Sequence, residues 1–339
     1  MSSSPLKWVA RATCRLPVPV MKLLSGKPHE IEGKRLDPVV QFMVRHFADP
    51  PGTLDSVEKT RAGFDLQGDW LTHPPAPGVR IEPWLVQGPA GPIRCEIHRP
   101  AALPRANAPV LVFYHGGGHV AGSLESHREV CRQLAHEGQC AVVAVDYRLA
   151  PEHRFPVGIR DCLAAFDAVV VEADTLGFDR RRVAVGGDSA GGNAAAVVAQ
   201  QRSNAPFPPR VQMLWVPWLD MSKQSRSYQL FAEGFFLEKA KMEWYTDLYL
   251  SKPEDALDPL ASPLLGDVQG VCPAVLLIAG FDPLRDEGLA YGAKLKSAGI
   301  PTHVKVFEGL VHPFINVAGF VPAANAAFTE AMRLLRERL

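Results

Sequence analysis

The stretch of sequence that decides the fold is "VGGDSAGGN", Val185 to Asn193. It follows a short apolar run typical of a strand and precedes "AAAVVAQQ", which is typical of a helix. Ser189 stands between Gly187 and Gly191 in a Gly-x-Ser-x-Gly pattern. Because glycine has no Cβ, strand and helix can approach closely here, and the serine can occupy a strained turn above the sheet. The N-terminus of the following helix favours a developing negative charge at that point.

Strands and helices alternate on both sides of this turn. The runs "PVLVFYH" (109–115), "CAVVAVDY" (140–147), "VQMLWVPW" (211–218) and "AVLLIAG" (274–280) are almost continuously apolar, and segments of helical character separate them. A strand that is apolar on both faces must be covered on both sides. The sequence therefore predicts an α/β fold with a mostly parallel central sheet and helices on both faces.

Two regions interrupt this alternation. Residues 221–255 are rich in aromatic side chains, have helical periodicity and fall between two strands, so we expect a cap insertion over the carboxyl edge of the sheet. Residues 1–75 are of mixed helical character, and we expect them to form an N-terminal arm and further cap helices. The main domain then comprises residues 76–220 and 256–339.

The composition excludes several classes of partner. The 339 residues include 36 basic and 36 acidic side chains, so no net charge attracts nucleic acid, and a neutral small molecule is the expected partner. No uninterrupted run of apolar residues is long enough for a transmembrane helix. The six cysteines are scattered without metal-binding spacing. We therefore expect reduced, buried thiols and no metal. A cytoplasmic location is the expected one.

The N-terminal segment, residues 1–27, carries five basic and no acidic side chains. Arg11 and Arg15 interrupt what would otherwise resemble the core of a signal peptide, and Pro17 and Pro19 break any long helix. A packed or partly mobile arm is the favoured interpretation. Contact with a membrane surface or a partner, and targeting, remain open.

Three separated residues have the types that acyl transfer requires. A serine hydroxyl needs a neighbouring base, which in turn needs an orienting acid. In sheets of this kind the acid and the histidine follow the serine in chain order, after later strands. Asp282 comes shortly after "AVLLIAG" and His312 shortly after "THVKVF", so Ser189, Asp282 and His312 are the predicted catalytic residues. Asp286, the rival acid, lies in the next predicted helix and should point away from His312.

The remaining histidines are interpreted as structural. His73 lies in a linker, His127 and His136 lie on an exposed-looking helix, and His303 lies at the start of a strand. None of these positions follows the end of a predicted core strand.

A glycine run supplies the predicted oxyanion hole. "YHGGGH" leaves a buried strand with Gly116, Gly117 and Gly118 in succession, so no side chain obstructs their N–H groups. The N–H of Ala190 completes the predicted donor set. The run lacks the Lys-Ser/Thr that follows the glycines of a P-loop, which disfavours a phosphate site.

The segment "DYRLAPEHRFP", Asp146 to Pro156, also follows a core strand. Its polar side chains come too early in the chain for a serine–acid–histidine order. We interpret Asp146, Tyr147, Arg148 and Glu152 as supports of the glycine run rather than as reacting groups.

These motifs resemble the hormone-sensitive-lipase family of α/β-hydrolases, also called bacterial family IV esterases. The similar stretches are "HGGG", "DYRLAPEHRFP", "GDSAGGN", "DPLRDEG" and "GLVHPF", in the family's order within residues 109–316. The resemblance implies an α/β-hydrolase fold with a helical cap and hydrolysis of carboxylic esters through an acyl-enzyme without a cofactor. It implies that Ser189 is the nucleophile, His312 the general base and acid, and Asp282 the orienting acid.

The resemblance also refines the glycine run and shows one departure. It places the oxyanion donors chiefly on Gly117 and Gly118, with Gly116 as a member of the loop. Where the family commonly has glycine after the histidine, this chain has Pro313, which fixes φ and removes an N–H, so the histidine loop could sit differently.

The predicted function is a serine carboxylesterase acting on small-molecule esters with short to medium acyl chains. An amide or peptide hydrolase, or a non-catalytic small-molecule receptor on the same scaffold, are the alternatives. Four aromatic residues are expected to wall the substrate pocket, and two tryptophans at a strand end favour short acyl chains; they are Trp215, Trp218, Phe235 and Phe236. A homo-oligomer is compatible with the fold.

Overall fold

An eight-stranded sheet forms the centre of the protein in the computed structural model, which describes residues 12–14, 16–71 and 74–339. In chain order the strands are β1 (Glu30–Ile31), β2 (Lys34–Arg35), β3 (Val79–Gly88), β4 (Gly91–Pro100), β5 (Ala108–Tyr114), β6 (Ala141–Asp146), β7 (Phe178–Asp188), β8 (Gln212–Trp215), β9 (Ala274–Phe281) and β10 (Thr302–Val311). The large sheet has the order β10-β9-β8-β7-β5-β6-β4-β3, and β1 pairs with β2 separately. Strand β4 pairs antiparallel with β3 and β6, and the other neighbours in the large sheet are parallel.

Strands β5 and β9 are buried on both faces because their side chains are apolar at every position. All seven residues of β5 and all eight of β9 are buried. Along β5, Leu111 and Phe113 enter the hydrophobic core on one face, whereas Val110 and Val112 enter the core on the other. The sheet therefore needs a helical layer on each side.

The helices supply these two layers and a third group above the sheet. In chain order they are α1 (Val18–Ser25), α2 (Pro38–Phe47), α3 (Val57–Leu71), α4 (Leu124–Gly138), α5 (Val157–Val171), α6 (Ala173–Leu176), α7 (Ala190–Gln201), α8 (Arg226–Leu230), α9 (Lys239–Tyr249), α10 (Arg285–Ser297) and α11 (Pro322–Arg336). Apolar residues of α4 and α11 pack in one core, and those of α5, α7 and α10 pack in the other. The predicted α/β architecture is confirmed.

Helices α1–α3 and residues 221–255 are together called the cap below. Tyr245 and Tyr249 of α9 pack with Trp218 and Phe155 of the main domain in a separate apolar cluster. Helices α1 and α2 instead join the core that contains α11. The cap boundaries predicted from the sequence, residues 1–75 and 221–255, remain a prediction.

Arg61 of α3 ties the cap to the main domain. Its Nε donates to the carbonyl of Val120 at 2.9 Å, and its Nη2 donates to the carbonyl of Ala150 at 2.9 Å. The same guanidinium binds both oxygens of Glu152. A bidentate pair of this kind fixes the direction of the arginine as well as its charge.

The six cysteines are unpaired and buried, as the sequence predicts. Burial raises the pKa of the thiols of Cys95, Cys140 and Cys272 to about 12, so these thiols stay protonated at neutral pH. Within the described part of the chain, no helix is both long and apolar enough to cross a bilayer. In the same residues, no group of three or more His, Cys, Asp and Glu side chains could hold a metal ion.

Candidate active site

Ser189 occupies a strained turn between β7 and α7. Its φ of 56° and ψ of −116° lie in a region that residues with side chains rarely adopt. A Cβ on Gly187 or on Gly191 would collide with the backbone carbonyl oxygen of Tyr114 at the end of β5. The two flanking glycines are thus required by close approach of backbone segments, which is the reason that the sequence indicated.

His312 and Asp282 meet at the ends of two neighbouring strands. Asp282 directly follows β9 and His312 directly follows β10. The imidazole Nδ1 lies 2.9 Å from Asp282 Oδ2, while Asp282 Oδ1 accepts a hydrogen bond from the N–H of Leu284 at 2.9 Å. With only 1% of its surface exposed, the carboxyl group is held in one orientation toward the imidazole.

Asp286 points elsewhere, as predicted. Its Oδ2 accepts a hydrogen bond from the N–H of Ser227 in the cap, and its Oδ1 accepts one from Nε of Arg285, both at 2.9 Å. This carboxylate therefore anchors the cap rather than the imidazole of His312.

Pro313 occupies the first turn of a short 3-10 helix, His312–Ile315. Its carbonyl accepts hydrogen bonds from the N–H groups of Asn316 and Val317. A first-turn position has no helical use for an N–H, so proline fits there without losing a hydrogen bond. The departure from the commoner glycine is accommodated, and the imidazole keeps its contact with Asp282.

Ser189 and His312 line one cavity of about 90 Å³. Gly117 and Gly118 form part of the same wall. The cap covers the cavity with side chains from α3 and from residues 237–245, among them Phe64, Gln67, Leu237, Met242 and Tyr245. The predicted serine, histidine and glycines are therefore brought together at the carboxyl edge of the parallel strands.

The glycine run is not uniform, which corrects one part of the predicted oxyanion hole. The N–H of Gly116 donates to Asp188 Oδ1 at 2.9 Å, so it is not free to bind a substrate oxygen. Gly117 and Gly118 have φ values of 123° and 63°, and among the described residues their N–H groups have no hydrogen-bond acceptor. Gly116 therefore anchors the loop, while the next two glycines face the cavity.

Tyr147 supports the glycine loop from below. Its hydroxyl donates to the carbonyl of His115 at 2.6 Å, and its ring stacks on the His115 ring with centroids 4.4 Å apart. Burial and the neighbouring His127 lower the pKa of His115 to about 4, so this imidazole is neutral at pH 7. The predicted supporting role is confirmed for Tyr147. The other three residues have different partners: Arg148 binds Asp161, Glu152 binds Arg61 and Asp146 pairs with Arg94.

The sequence interpretation places His127 on an exposed helix, and this placement is wrong. The side chain is only 2% exposed and lines the cavity. Its Nε2 lies 3.4 Å from Asp188 Oδ1 and 3.3 Å from Asn316 Nδ2. A signal is present in the sequence, because His127 lies three residues after Leu124 and four before Cys131, on the apolar face of α4.

Asp188 is the shared partner in this group of side chains. Burial alone would raise its pKa, but His127, His115 and the N–H of Gly116 outweigh that effect, and the pKa lies below its usual value. The carboxylate thus stays charged directly beside Ser189. Through it, the serine turn, the glycine loop and α4 are held together, and Asn316 connects the histidine loop to the same group.

A larger apolar cavity of about 570 Å³ adjoins the first one. Both are lined by residues including Phe64, Gln67, Leu237, Tyr245 and His312. The larger cavity extends between α2 and α3, where its walls include Phe42, Met43, Phe47, Leu54 and Phe236. It therefore joins the surroundings of His312 to the outer part of the cap.

Three of the four aromatic residues predicted to wall the pocket do not line these two cavities. Trp215 is fully buried and packs against Phe113, Phe235 packs against Phe281, and Trp218 lies on the far side of Met242. Only Phe236 of the four lines the apolar cavity. The argument for short acyl chains from the two tryptophans therefore fails, because other residues determine the depth of the cavity.

The fold and the site together define a class of protein. A serine on a strained turn after a parallel strand, with acid and histidine after two later strands, is the arrangement of an α/β hydrolase. A family model described as the alpha/beta hydrolase fold matches residues 111–316.

The comparisons with individual proteins narrow this class. The chain is 37% identical to the carboxylic ester hydrolase LipN of Mycobacterium tuberculosis, over 96% of this chain and 89% of the relative. It is 38% identical to the ethyl acetate hydrolase of Pseudomonas putida, over 70% of this chain and 75% of the relative. An esterase structure from Pyrobaculum calidifontis superposes with a TM-score of 0.83 at 34% identity, covering 89% of this chain and 98% of the other. The chain belongs to the hormone-sensitive-lipase branch of the α/β-hydrolase family and is a carboxylic ester hydrolase.

Proposed function

We propose that this enzyme hydrolyses small-molecule carboxylic esters through an acyl-enzyme formed on Ser189, with His312 as general base and Asp282 as orienting acid. The observation that carries this proposal is the 2.9 Å contact of His312 Nδ1 with Asp282 Oδ2, beside the cavity that His312 shares with Ser189. With Nδ1 held by the acid, Nε2 is left to accept a proton.

In the proposed first half of the reaction, Ser189 Oγ attacks the ester carbonyl carbon while His312 takes the hydroxyl proton. The N–H groups of Gly117, Gly118 and Ala190 stabilise the negative charge that develops on the carbonyl oxygen. When the tetrahedral intermediate collapses, the carbon–oxygen bond to the alcohol breaks, and His312 gives its proton to the departing alcohol.

In the second half, a water molecule attacks the acyl carbon and gives a proton to His312. The bond from the acyl carbon to Ser189 Oγ then breaks, the proton returns to the serine, and the carboxylic acid leaves. The negative charge of Asp282 stabilises the imidazolium in both halves. No cofactor takes part in this proposal.

The substrates that we propose are lipophilic esters with short to medium acyl chains. A cavity of about 570 Å³ lies within the range of about 300–1,000 Å³ that is usual for small-molecule sites. Its walls are largely apolar, and Lys241 is the one lysine or arginine among the described residues that line it, so little positive charge is available to pair with a charged acyl chain. These features support an uncharged chain that lies between α2 and α3.

The first test concerns the nucleophile. Ser189→Ala should lower kcat for p-nitrophenyl butyrate by about 10⁴-fold or more, because members of a triad act as a unit. Ser297→Ala, an exposed serine on α10, is the matched control and should keep wild-type activity. A serine-directed phosphonate should label the wild type and the control but not Ser189→Ala. Near wild-type turnover by Ser189→Ala would refute the assignment.

The second test concerns the substrate. Across p-nitrophenyl acetate, butyrate, octanoate and dodecanoate, kcat/KM should reach its maximum at butyrate or octanoate and fall at dodecanoate. Binding of esters without turnover would favour the receptor alternative. Faster hydrolysis of a matched anilide than of the ester would favour the amide hydrolase.

A further inference from the structure

Exposed apolar side chains are concentrated in the N-terminal part of the cap. On α1, Leu23 is 82% exposed, and Val20 and Leu24 are 40% and 41% exposed. Further exposed apolar residues nearby in the chain are Leu16, Val18, Phe47, Leu54 and Leu66. In residues 74–339, a far longer part of the chain, the large exposed apolar side chains are fewer: Leu85, Val171, Leu257, Leu265 and Leu289. Clustered exposed apolar surface marks an interaction site.

Helix α1 is apolar around nearly its whole circumference. Met21 is fully buried and faces the core, and α1 packs on α2. At about 100° per residue, Leu23 lies about 160° from Met21 around the helix axis and Val20 about 100° from it, and both side chains are exposed to solvent. A helix that is apolar on all sides is normally buried. The outer face of α1 is therefore a surface without a partner among the described residues.

The charged side chains on α1 and directly after it, Lys22 and Lys27, are cationic, while Asp37 and Glu308 line a groove together with Lys22. Lys22 and Lys27 are exposed, and among the described residues neither forms an ion pair. The chain before Glu30 contains five basic side chains and no acidic one. A two-fold dimer through α1 would bring the cations of both copies into one interface, where they would repel one another. An anionic surface would instead be attracted.

We propose that α1 docks on an anionic phospholipid surface. Leu23, Val20 and Leu24 enter the boundary between headgroups and acyl chains, and Lys22 and Lys27 bind the lipid phosphates. The apolar area and the charge act together, since neither alone gives firm attachment.

Docking in this orientation brings the apolar cavity close to the lipid. Thr13 and Cys14, just before α1 in the chain, line that cavity. Phe47, Leu54 and Leu66 also line it while remaining 56%, 49% and 59% exposed. A lipophilic ester dissolved in the bilayer could thus enter the cavity directly, and this second step rests on the proposed function.

Vesicle flotation of the full chain tests the docking. The protein should float with vesicles of phosphatidylcholine containing about one-third phosphatidylglycerol, and much less with phosphatidylcholine alone. Leu23→Asp/Leu24→Asp should weaken binding at least about tenfold, because it removes the inserted side chains. Lys22→Glu/Lys27→Glu should also weaken binding about tenfold or more, since each cation near an anionic leaflet strengthens binding about fivefold.

Matched variants far from α1 control for general effects. Val171→Asp/Leu257→Asp and Lys296→Glu/Lys305→Glu alter exposed residues elsewhere and should float as the wild type does. Ser189→Ala should also float normally, so failure of the docking and failure of the proposed function are distinguishable. Equal flotation of the α1 variants and the wild type, or no flotation with anionic vesicles, overturns the proposal. So does a solution dimer that Leu23→Asp/Leu24→Asp dissociates, because α1 would then bind a second copy.

Discussion

The floor and the roof of the cavity are held by different interactions. The floor, residues 115–119, 187–191 and the segments carrying Asp282 and His312, is fixed largely by hydrogen bonds to backbone groups, such as Gly116 N–H to Asp188 and Tyr147 to the carbonyl of His115. The roof is the cap, whose contacts with the floor include aromatic packing: Tyr249 stacks on His119 with centroids 4.1 Å apart. Hydrogen bonds depend on direction more strongly than apolar packing does. We therefore expect substitutions in the floor to lower kcat far more than substitutions in the roof.

The sharpest test of the floor compares two aspartates four residues apart. Asp282→Asn should lower kcat about 10⁴-fold, because the amide no longer favours the tautomer with a proton on His312 Nδ1. Asp286→Asn, which faces Ser227 in the cap, should change kcat by less than about tenfold. The measurement is kcat for p-nitrophenyl butyrate, with circular dichroism to verify folding. The reverse ranking would exchange the two carboxylates.

Two neighbouring glycines of the floor have different surroundings, one facing the floor itself and the other facing the roof. A Cβ at Gly117 would collide with the backbone carbonyl of Ala121, whereas one at Gly118 would meet the Tyr245 ring of the cap. We expect Gly117→Ala to lower kcat about 10²–10³-fold, the typical cost of losing an oxyanion donor. Gly118→Ala should lower kcat by a smaller factor, because the side chain of Tyr245 can move aside. Adding Tyr245→Ala to Gly118→Ala should restore part of the lost kcat.

The rescue experiment has a clear contrary result. If Tyr245→Ala restored kcat in Gly117→Ala as fully as in Gly118→Ala, the cap would limit the space for a Cβ at both glycines. The distinction between rigid floor and adjustable roof would then be wrong at this loop.

The next prediction concerns the connection made by His127. His127→Gln should lower kcat about 10–100-fold with little change in KM, because a small displacement of the glycine loop and the histidine loop misplaces the reacting groups. His136→Gln, on the exposed side of the same helix, is the matched control and should be silent. If the two residues act through one contact, the loss of kcat in the double variant Asn316→Ala/His127→Gln should be smaller than the two single losses combined as free energies. Full additivity would show separate roles.

The smallest effect on catalysis is expected at Arg61, which connects the roof to the main domain. Arg61→Ala removes hydrogen bonds to the carbonyls of Val120 and Ala150 as well as the pair with Glu152. We expect the free energy of unfolding to fall by about 1–2 kcal/mol and KM to rise a few fold, with kcat nearly unchanged. Thermal unfolding and steady-state kinetics measure these quantities. Arg160→Ala, which changes an exposed arginine on α5, is the control. An equal change in the free energy of unfolding and in KM for this variant would show that Arg61 has no special role in joining the cap to the main domain.

The same contrast explains what the sequence can predict. The floor consists of short motifs at strand ends, and the chemistry of each motif constrains its residues, so the order of the motifs along the chain is enough to locate Ser189, Asp282 and His312. The role of Gly116 is predicted less accurately because three adjacent glycines look alike in a sequence. Only the position of Asp188 shows which of the three N–H groups is already occupied.

The roof resists prediction for a physical reason. Aromatic residues pack equally well against a core or around a cavity, and nothing local to Trp215 or Phe235 distinguishes the two environments. Much of the cavity wall comes instead from α2, α3 and the segment between them, which are distant in the chain from Ser189 and His312. The spacing of apolar residues along α4 is enough to place His127 on the buried face, but its polarity favours an exposed interpretation.

The burial of all six cysteines leaves the outer surface without a reactive native thiol. A single cysteine introduced at exposed Leu66 on the cap, and another at exposed Lys296 on the main domain, would thus be the preferred sites for a pair of spectroscopic labels. The distance between the labels would measure any change in the position of the cap relative to the main domain during turnover, without prior removal of a native residue.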